Sequence, residues 1–417
     1  MKGEIIAIGD ELTSGRIFNT TSGFAARHLF DAGYEIYAMH TIGDAPALIG
    51  DALKRAIDRV DFVIVTGGLG STDDDLTNEA VSMALGRPTM PNLEVLYQIR
   101  SHLNAISGNP LSPLEKLAWL PSGAEVLNAK ARMAGYQLVH DNKPIFFLPG
   151  VPDQMEQLLL EEVLPRLTSW YSDPSRGMLQ KLLRVFNMDE YEVNEKIAAL
   201  KLDKSVRIGY YPVFPELHIS LTVRDKQSDQ CNALLSQATK AIYNALGDVI
   251  YGQNQDTMET VVGRLLHKNN LHLAVAESCS GGTVSHKITK VPGSSAYFLG
   301  GVTSYANSIK SSFLGVAPEM LARHGAVSRV VADAMARGIL YNTGADLALS
   351  ITGIAGPGGG SREKPVGTVY IAIATPLECT TQKFQFRGSR EQIQELTAVN
   401  GLDLIRRHLI SKGSAQK

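Results

Sequence analysis

Cysteine is nearly absent: the chain has three in 417 residues, Cys231, Cys279 and Cys379, all far apart. That excludes a disulfide framework and a CxxC metal clip, and it suits a reducing compartment, so a cytoplasmic protein is expected. Charge of one sign is missing too. The net charge is −2 and no long Lys/Arg run occurs, which leaves no electrostatic footprint for duplex nucleic acid or an anionic membrane. No stretch approaches the roughly 20 apolar residues needed to cross a bilayer. The opening MKGEIIAIGD, with Glu4 and Asp10 around a short apolar run, is too short and too acidic for a signal peptide. With nucleic acid and membrane set aside as partners, a small-molecule substrate is expected.

What is present is an ordinary globular balance: 44% hydrophobic residues, 20% charged residues and 38 glycines. At about 150 residues per domain, the length suggests two or three domains. The fold class expected is α/β in three parts. Residues 1–167 alternate apolar strands with amphipathic helices, the pattern of a βαβ sandwich with a largely parallel sheet. Strands are expected at EIIAI, DFVIVT and KPIFF. The segment TTSGFAARHLFDAGY is predicted as a helix closed by Gly33. The turn-rich SWYSDPSRG then opens a small α+β module over 168–253. A third domain, 254–417, starts with a helix carrying Met258, Val261, Val262, Leu265 and Leu266 at helical spacing. The order expected after it is strand HLAVA, helix, strand FLGGVTSY, helices, strands LALSIT, VGTVYIAIA and QKFQF, and a closing helix. The tail SKGSAQK is expected to fray, and no internal repeat is evident.

In the third domain, AESCSGG places Ser278 at a strand-to-helix turn. Backbone N–H groups around Gly281 and Gly282 could meet a phosphate or a developing oxyanion there. A serine hydroxyl needs a base, and no His lies in or beside this loop, so lysine becomes the candidate. Lys310 in SYANSIK stands at the start of a helix, where burial would lower its pKa. A second loop, SITGIAGPGGGSREKPVG, offers Thr352 and many free amides that could wrap a phosphoribosyl group. Taken singly, a Ser near glycines is by default a turn or N-cap residue, and a lone Lys a solvated charge. Cys279 is an alternative nucleophile, with apolar packing the commoner fate of such a cysteine.

Together AESCSGG, SYANSIK, HGAVS, TGIAGPGGGSREKPVGTV and FRGSR, in this order, resemble the C-terminal domain of the CinA family over nearly all of 257–410. The resemblance implies metal-free and cofactor-free deamidation of nicotinamide mononucleotide to nicotinate mononucleotide and ammonia, a step of pyridine nucleotide salvage. By position it implies Ser278 as nucleophile, Lys310 as general base, Tyr305 and Thr352 as supporting hydroxyls, and Arg390 as a substrate-side arginine suited to a phosphate. Glu277, Ser280, Gly281, Gly282, Gly353 and Gly356 are expected around the substrate. A homodimer is a further implication.

GDELTSGRIFNTTS, TGGLGSTDDDLT and PGVPDQM resemble the N-terminal domain of full-length CinA proteins, itself similar to molybdopterin-binding folds, over 1–167. That likeness, with a small KH-like middle module, implies metal-dependent hydrolysis of ADP-ribose to AMP and ribose phosphate. The candidate site is Asp10, Glu11, Asn19, Gly68, Thr72, Asp74 and Asp75, with a divalent cation on Asp10, Asp74 and Asp75 bridging a pyrophosphate. Asp runs at loop-to-helix junctions also serve as caps and macrodipole partners. Three departures from the family pattern, Ser71 for Pro, Gln154 for Glu and ARMAG for GTAPG, predict weak or altered pyrophosphatase activity. A non-enzymatic accessory of DNA uptake, or a molybdopterin-binding role, are the remaining alternatives. The first finds no basic stripe, no aromatic platform and no GxxG clamp in the middle module.

Overall fold

The computed structural model describes residues 1–106, 113–128, 135–171, 177–226 and 228–414. The chain divides into two compact units, Met1–Leu179 with Arg224–Cys231, and Gln180–Val223 with Asn232–Lys417. The α/β character and the three-part organisation agree with the sequence pattern.

The first unit is built on a six-stranded sheet in the order Glu35–Ile42, Lys2–Ile8, Phe62–Thr66, Lys143–Leu148, Tyr136–His140, Glu125–Val126. The first four are parallel and the last two antiparallel. Both faces are covered, as a parallel sheet requires. Because side chains alternate along a strand, Ile6, Ile8, Val63 and Val65 enter one apolar layer, while Ile5, Phe62 and Ile64 enter the other. Each such fully buried side chain contributes roughly 1.5–3 kcal/mol relative to exposure. The helix Thr20–Asp31 ends as its glycine suggests, with Gly33 at φ 95°. The helix Leu164–Trp170 reaches into the stretch expected as a linker.

The second unit carries two sheets. Four strands in the order Arg207–Val213, Glu216–Lys226, Gly177–Val185, Ile250–Gln253 form the middle module. Phe186 and Tyr251 from this part of the chain join an apolar cluster with Met258, Leu273 and Leu402. Arg406, 2% exposed, pairs with Asp403 and donates to the Asp248 carbonyl at 2.7 Å. The middle module is therefore tied to the closing helix Arg390–Ser414 rather than standing alone. The first four residues of the tail expected to fray, Ser411 to Ser414, instead continue this helix, and 415–417 lie outside the described residues.

The larger sheet runs Phe298–Thr303, Leu273–Glu277, Leu347–Gly353, Thr368–Ala374, Cys379–Gln385. The first three strands are parallel and the last two antiparallel. Leu273 and Val275 face one apolar layer, and Ala274 and Ala276 the other. The alanine-rich face lets the helix Arg329–Thr343 lie close. That helix also approaches a neighbour so tightly that a Cβ at Gly338 would stand 1.9 Å from the Leu314 carbonyl oxygen.

The chain leaves Leu273–Glu277 to one side for Phe298–Thr303 and returns on the other side as Leu347–Gly353. Loops that follow two such adjacent parallel strands diverge and open a crevice at their carboxyl ends. This is where the serine turn and the glycine loop lie.

Candidate active site

Strand Leu273–Glu277 is wholly buried and delivers Ser278 to the crevice. A turn then leads into the helix Thr283–Thr289, with Gly281 at φ 68° and Gly282 at φ 99°. Both angles are left-handed and suit glycine. Lys310 lies on the helix Asn307–Leu314 and is 1% exposed. Its Nζ is 3.1 Å from Ser278 Oγ, 2.6 Å from the Ser304 carbonyl oxygen and 3.4 Å from that of Tyr305. Burial lowers its pKa from the ordinary lysine value. A neutral amine has two N–H donors and one lone pair. The two carbonyls would accept both donors of a neutral Lys310, and its lone pair would then face the serine hydroxyl.

Cys279 is 5% exposed, and burial pushes its thiol up to about 12. It packs beside Gly353, where a Cβ would meet its Sγ at 2.9 Å. A thiol so buried is a packing group, not a thiolate. Gly353 is thus demanded by the close approach of the glycine loop to the serine turn.

Two expectations about the turn change. Glu277 is fully buried and accepts five hydrogen bonds: from Ser280 Oγ, the N–H groups of Gly282 and Val284, and both the N–H and Oγ of Ser285, at 2.7–3.1 Å. Glu277 and Ser280 therefore face one another and organise the loop instead of lining a ligand. The Gly282 amide is taken up by Glu277 and the Gly281 amide by the Ser278 carbonyl. These glycine amides are not free for a phosphate or an oxyanion.

Arg390 joins the other elements. Its guanidinium donates to the Gly356 carbonyl at 2.6 Å and to the Tyr305 hydroxyl at 2.7 Å. Both acceptors are neutral, so its charge stands at the site mouth without a counter-charge in these bonds. Thr352 is 1% exposed and donates to the Ala326 carbonyl at 2.8 Å. Its hydroxyl thus ties the end of its strand to HGAVS rather than meeting Ser278 or Lys310. Two residues that sequence reasoning missed complete the arrangement. Ser304 holds the Glu277 carbonyl through its N–H at 2.8 Å and its Oγ at 3.1 Å. Gln394 of the closing helix donates to the Cys279 carbonyl at 3.1 Å.

The N-terminal candidates gather less completely. Asp10 and Asp44 exchange backbone-to-carboxylate hydrogen bonds at 2.8 and 3.3 Å. Burial raises the Asp44 pKa, an effect that the amide of Asp10 opposes and the charges of Asp10, Glu11 and Asp74 reinforce. Asp44 was not among the expected residues, although it repeats the Gly-Asp that ends the first strand. Asp74 is lowered by its hydrogen bond with Thr72, with Lys116 adding attraction. Asp75 turns inward onto the Thr72 hydroxyl and amide, bracing its own loop. Asn19 caps the helix Thr20–Asp31 through the Ser22 amide at 3.0 Å. Gly68, at φ 65°, accepts from the Thr77 amide. Among the described residues no three His, Cys, Asp or Glu side chains group so as to hold a metal ion. Asp10, Asp74 and Asp75 do not make such a group, and Asp75 accepts from Thr72. Gln154 buries its side-chain oxygen without a hydrogen-bond partner among the described residues. Of ARMAG, residues 131–134 lie outside the described residues.

Among the described residues no helix is long and apolar enough to cross a membrane. Residues 255–409 match the family described as CinA C-terminal domain, residues 4–169 the Probable molybdopterin binding domain, and residues 180–252 the Damage-inducible protein CinA KH domain. A CinA-like protein of Desulfotalea psychrophila is 60% identical over 98% of each chain. One of Geobacter sulfurreducens is 39% identical over 99% of this chain and 100% of its own. Among solved structures, the competence/damage inducible protein CihA from Agrobacterium tumefaciens is 36% identical. The match covers 37% of this chain and 96% of that one, with a TM-score of 0.35.

Proposed function

The chain belongs to the CinA family, and from that premise we propose that its C-terminal domain hydrolyses the carboxamide of nicotinamide mononucleotide to nicotinate mononucleotide and ammonia. The observation that carries the reading is the buried 3.1 Å contact between Lys310 Nζ and Ser278 Oγ. Lys310, neutral, takes the serine proton as Oγ bonds to the amide carbon. The resulting ammonium returns that proton to the departing nitrogen, and ammonia leaves an acyl ester on Ser278. Lys310 then deprotonates a water that attacks the ester, and the proton passes back to Oγ as nicotinate mononucleotide is released. Arg390, which donates to the neutral oxygens of Gly356 and Tyr305, exchanges those partners for the substrate phosphate. Every step uses groups of this chain and water.

The test is release of ammonia from nicotinamide mononucleotide by the full chain and by Ser278→Ala. An unchanged rate in the variant removes the assignment.

A second reading, cleavage of ADP-ribose to AMP and ribose phosphate by the N-terminal domain, draws on the charges of Asp10, Glu11 and Asp74 that act on the partly buried Asp44 carboxyl. Among the described residues the carboxylates do not form a three-ligand metal group. Weak cleavage at best, with or without added divalent cation, is the expected result for the full chain.

A further inference from the structure

We propose that Glu277 and Ser304 are positioning residues that set Ser278 against Lys310, so that the reactivity of the serine depends on a buried hydrogen-bonded circuit outside the reacting pair. The inference rests on the Ser278–Lys310 assignment and extends it to two side chains with no place in the chemical steps.

Glu277 immediately precedes the serine. Its five donors come from residues three to eight positions further on, so closing them around one carboxylate dictates the path of the turn that carries Ser278. The helix Thr283–Thr289 has no other side-chain cap; this internal carboxylate satisfies the amides that a helix N-terminus leaves open. At its other end, the Glu277 carbonyl is clasped by the Ser304 amide and hydroxyl. Ser304's own carbonyl accepts the shorter of the two Lys310 contacts to main-chain oxygens, 2.6 Å against 3.4 Å. The circuit therefore runs from the residue before the nucleophile, through Ser304, to the base, and closes across the Nζ to Oγ contact. Glu277 and Ser304 are each 0% exposed, so water does not compete for these bonds. Moving either carbonyl would rotate the lone pair of Lys310 away from the hydroxyl, and misplacement by about 1 Å costs on the order of 100-fold in rate.

Glu277→Gln keeps the shape and turns an NH2 group toward N–H and O–H donors. The expected result is a fall in kcat of about 100-fold with KM little changed. Labelling of Ser278 by a fluorophosphonate probe, followed by mass spectrometry, should slow in step, because that readout needs the nucleophile and not the substrate. Ser304→Ala should lose about 5- to 10-fold in both readouts, and Ser304→Thr, which keeps the hydroxyl, should recover most of it. If Glu277→Gln does not fold, Ser280→Ala removes one donor to the same carboxylate and should show the same split at smaller amplitude. Folded variants with parental kcat and labelling overturn the proposal, as does a rise in KM at constant kcat, which would place Glu277 on the substrate. The two failures separate cleanly. A parent chain labelled at Ser278 but inert toward nicotinamide mononucleotide sinks the substrate reading and leaves the circuit standing. A parent chain not labelled there removes both.

Discussion

The two larger sheets begin in the same way. In each, the first strand has the second on one side and the third, again parallel, on the other: Glu35–Ile42, Lys2–Ile8, Phe62–Thr66 in one, and Phe298–Thr303, Leu273–Glu277, Leu347–Gly353 in the other. Each crevice is flanked by glycines, Gly67 and Gly68 in the first and Gly281, Gly282 and Gly353 in the second. The chemistry placed there differs. In the N-terminal crevice burial lifts the Asp44 pKa, and the charges of Asp10, Glu11 and Asp74 reinforce it. The C-terminal crevice holds one internal carboxylate saturated by five donors, with a hydroxyl and an amine kept away from water. One topology thus supports an open acidic mouth and a dry, preorganised pair. The difference lies in whether each polar group is answered from within the domain.

Ser278→Ala is the largest expected effect and the most direct way to break this comparison. Deamidation by the full chain should fall by about 10⁴-fold, while Asp74→Asn in the other crevice leaves it unaltered. A parental rate in Ser278→Ala would sink the contrast.

Lys310→Met sharpens it further. Activity should fall by about 10³-fold or more, yet the melting temperature should rise, because a buried amine destabilises the fold to favour reactivity; a gain on the order of 1 kcal/mol is expected. The sign follows from the lowered pKa: the folded chain binds fewer protons than the unfolded one between the two lysine pKa values. Lys310 therefore disfavours folding at neutral pH, and that cost recedes as pH rises through the window. In the parent chain, kcat/KM should climb as pH rises toward the folded pKa and then level, below the ordinary lysine range. A flat profile through that window argues against an amine base.

Arg390→Ala should raise KM for nicotinamide mononucleotide by about 10- to 100-fold with a smaller change in kcat, and should matter less for a nucleoside lacking the phosphate. Equal loss on both substrates would remove the phosphate role.

The smallest effect belongs to the acidic crevice. The folded pKa of Asp44 is raised, so the folded state loses relative stability as pH rises from the unfolded carboxylate value through the folded one. Asp44→Asn keeps an acceptor for the Asp10 amide and should add about 0.5 kcal/mol at pH 7, discounted for its partial exposure, and almost nothing at pH 3. Thermal melts at the two pH values read the difference, and a gain independent of pH would contradict a raised Asp44 carboxyl.

Much of this was legible along the chain. The strands around Ile5, Ile64 and Val275, the helix with Met258 and Val262, and the stop at Gly33 rest on periodicity and on left-handed glycine, which are local properties. Ser278 and Lys310 were legible as types, a hydroxyl at a strand end and an amine at the start of a helix. Ser304, Gln394 and Asp44 were not. Their partners lie 27, 115 and 34 residues away, and a buried Ser, an ordinary Gln on a helix and a loop Asp carry no pattern that announces such bonds. Glu277 and Asp75 were visible as charges, but only their neighbours show that each is turned inward.

The sequence by itself determined which segments would be strands and helices and which residue types could react, because these depend on neighbours a few positions apart. Only the tertiary structure decided which reactive groups share a proton, which amides are already taken and which carboxylates stand unanswered. Those outcomes depend on distance and on exclusion of water, and folding sets both by bringing together strands that lie far apart along the chain.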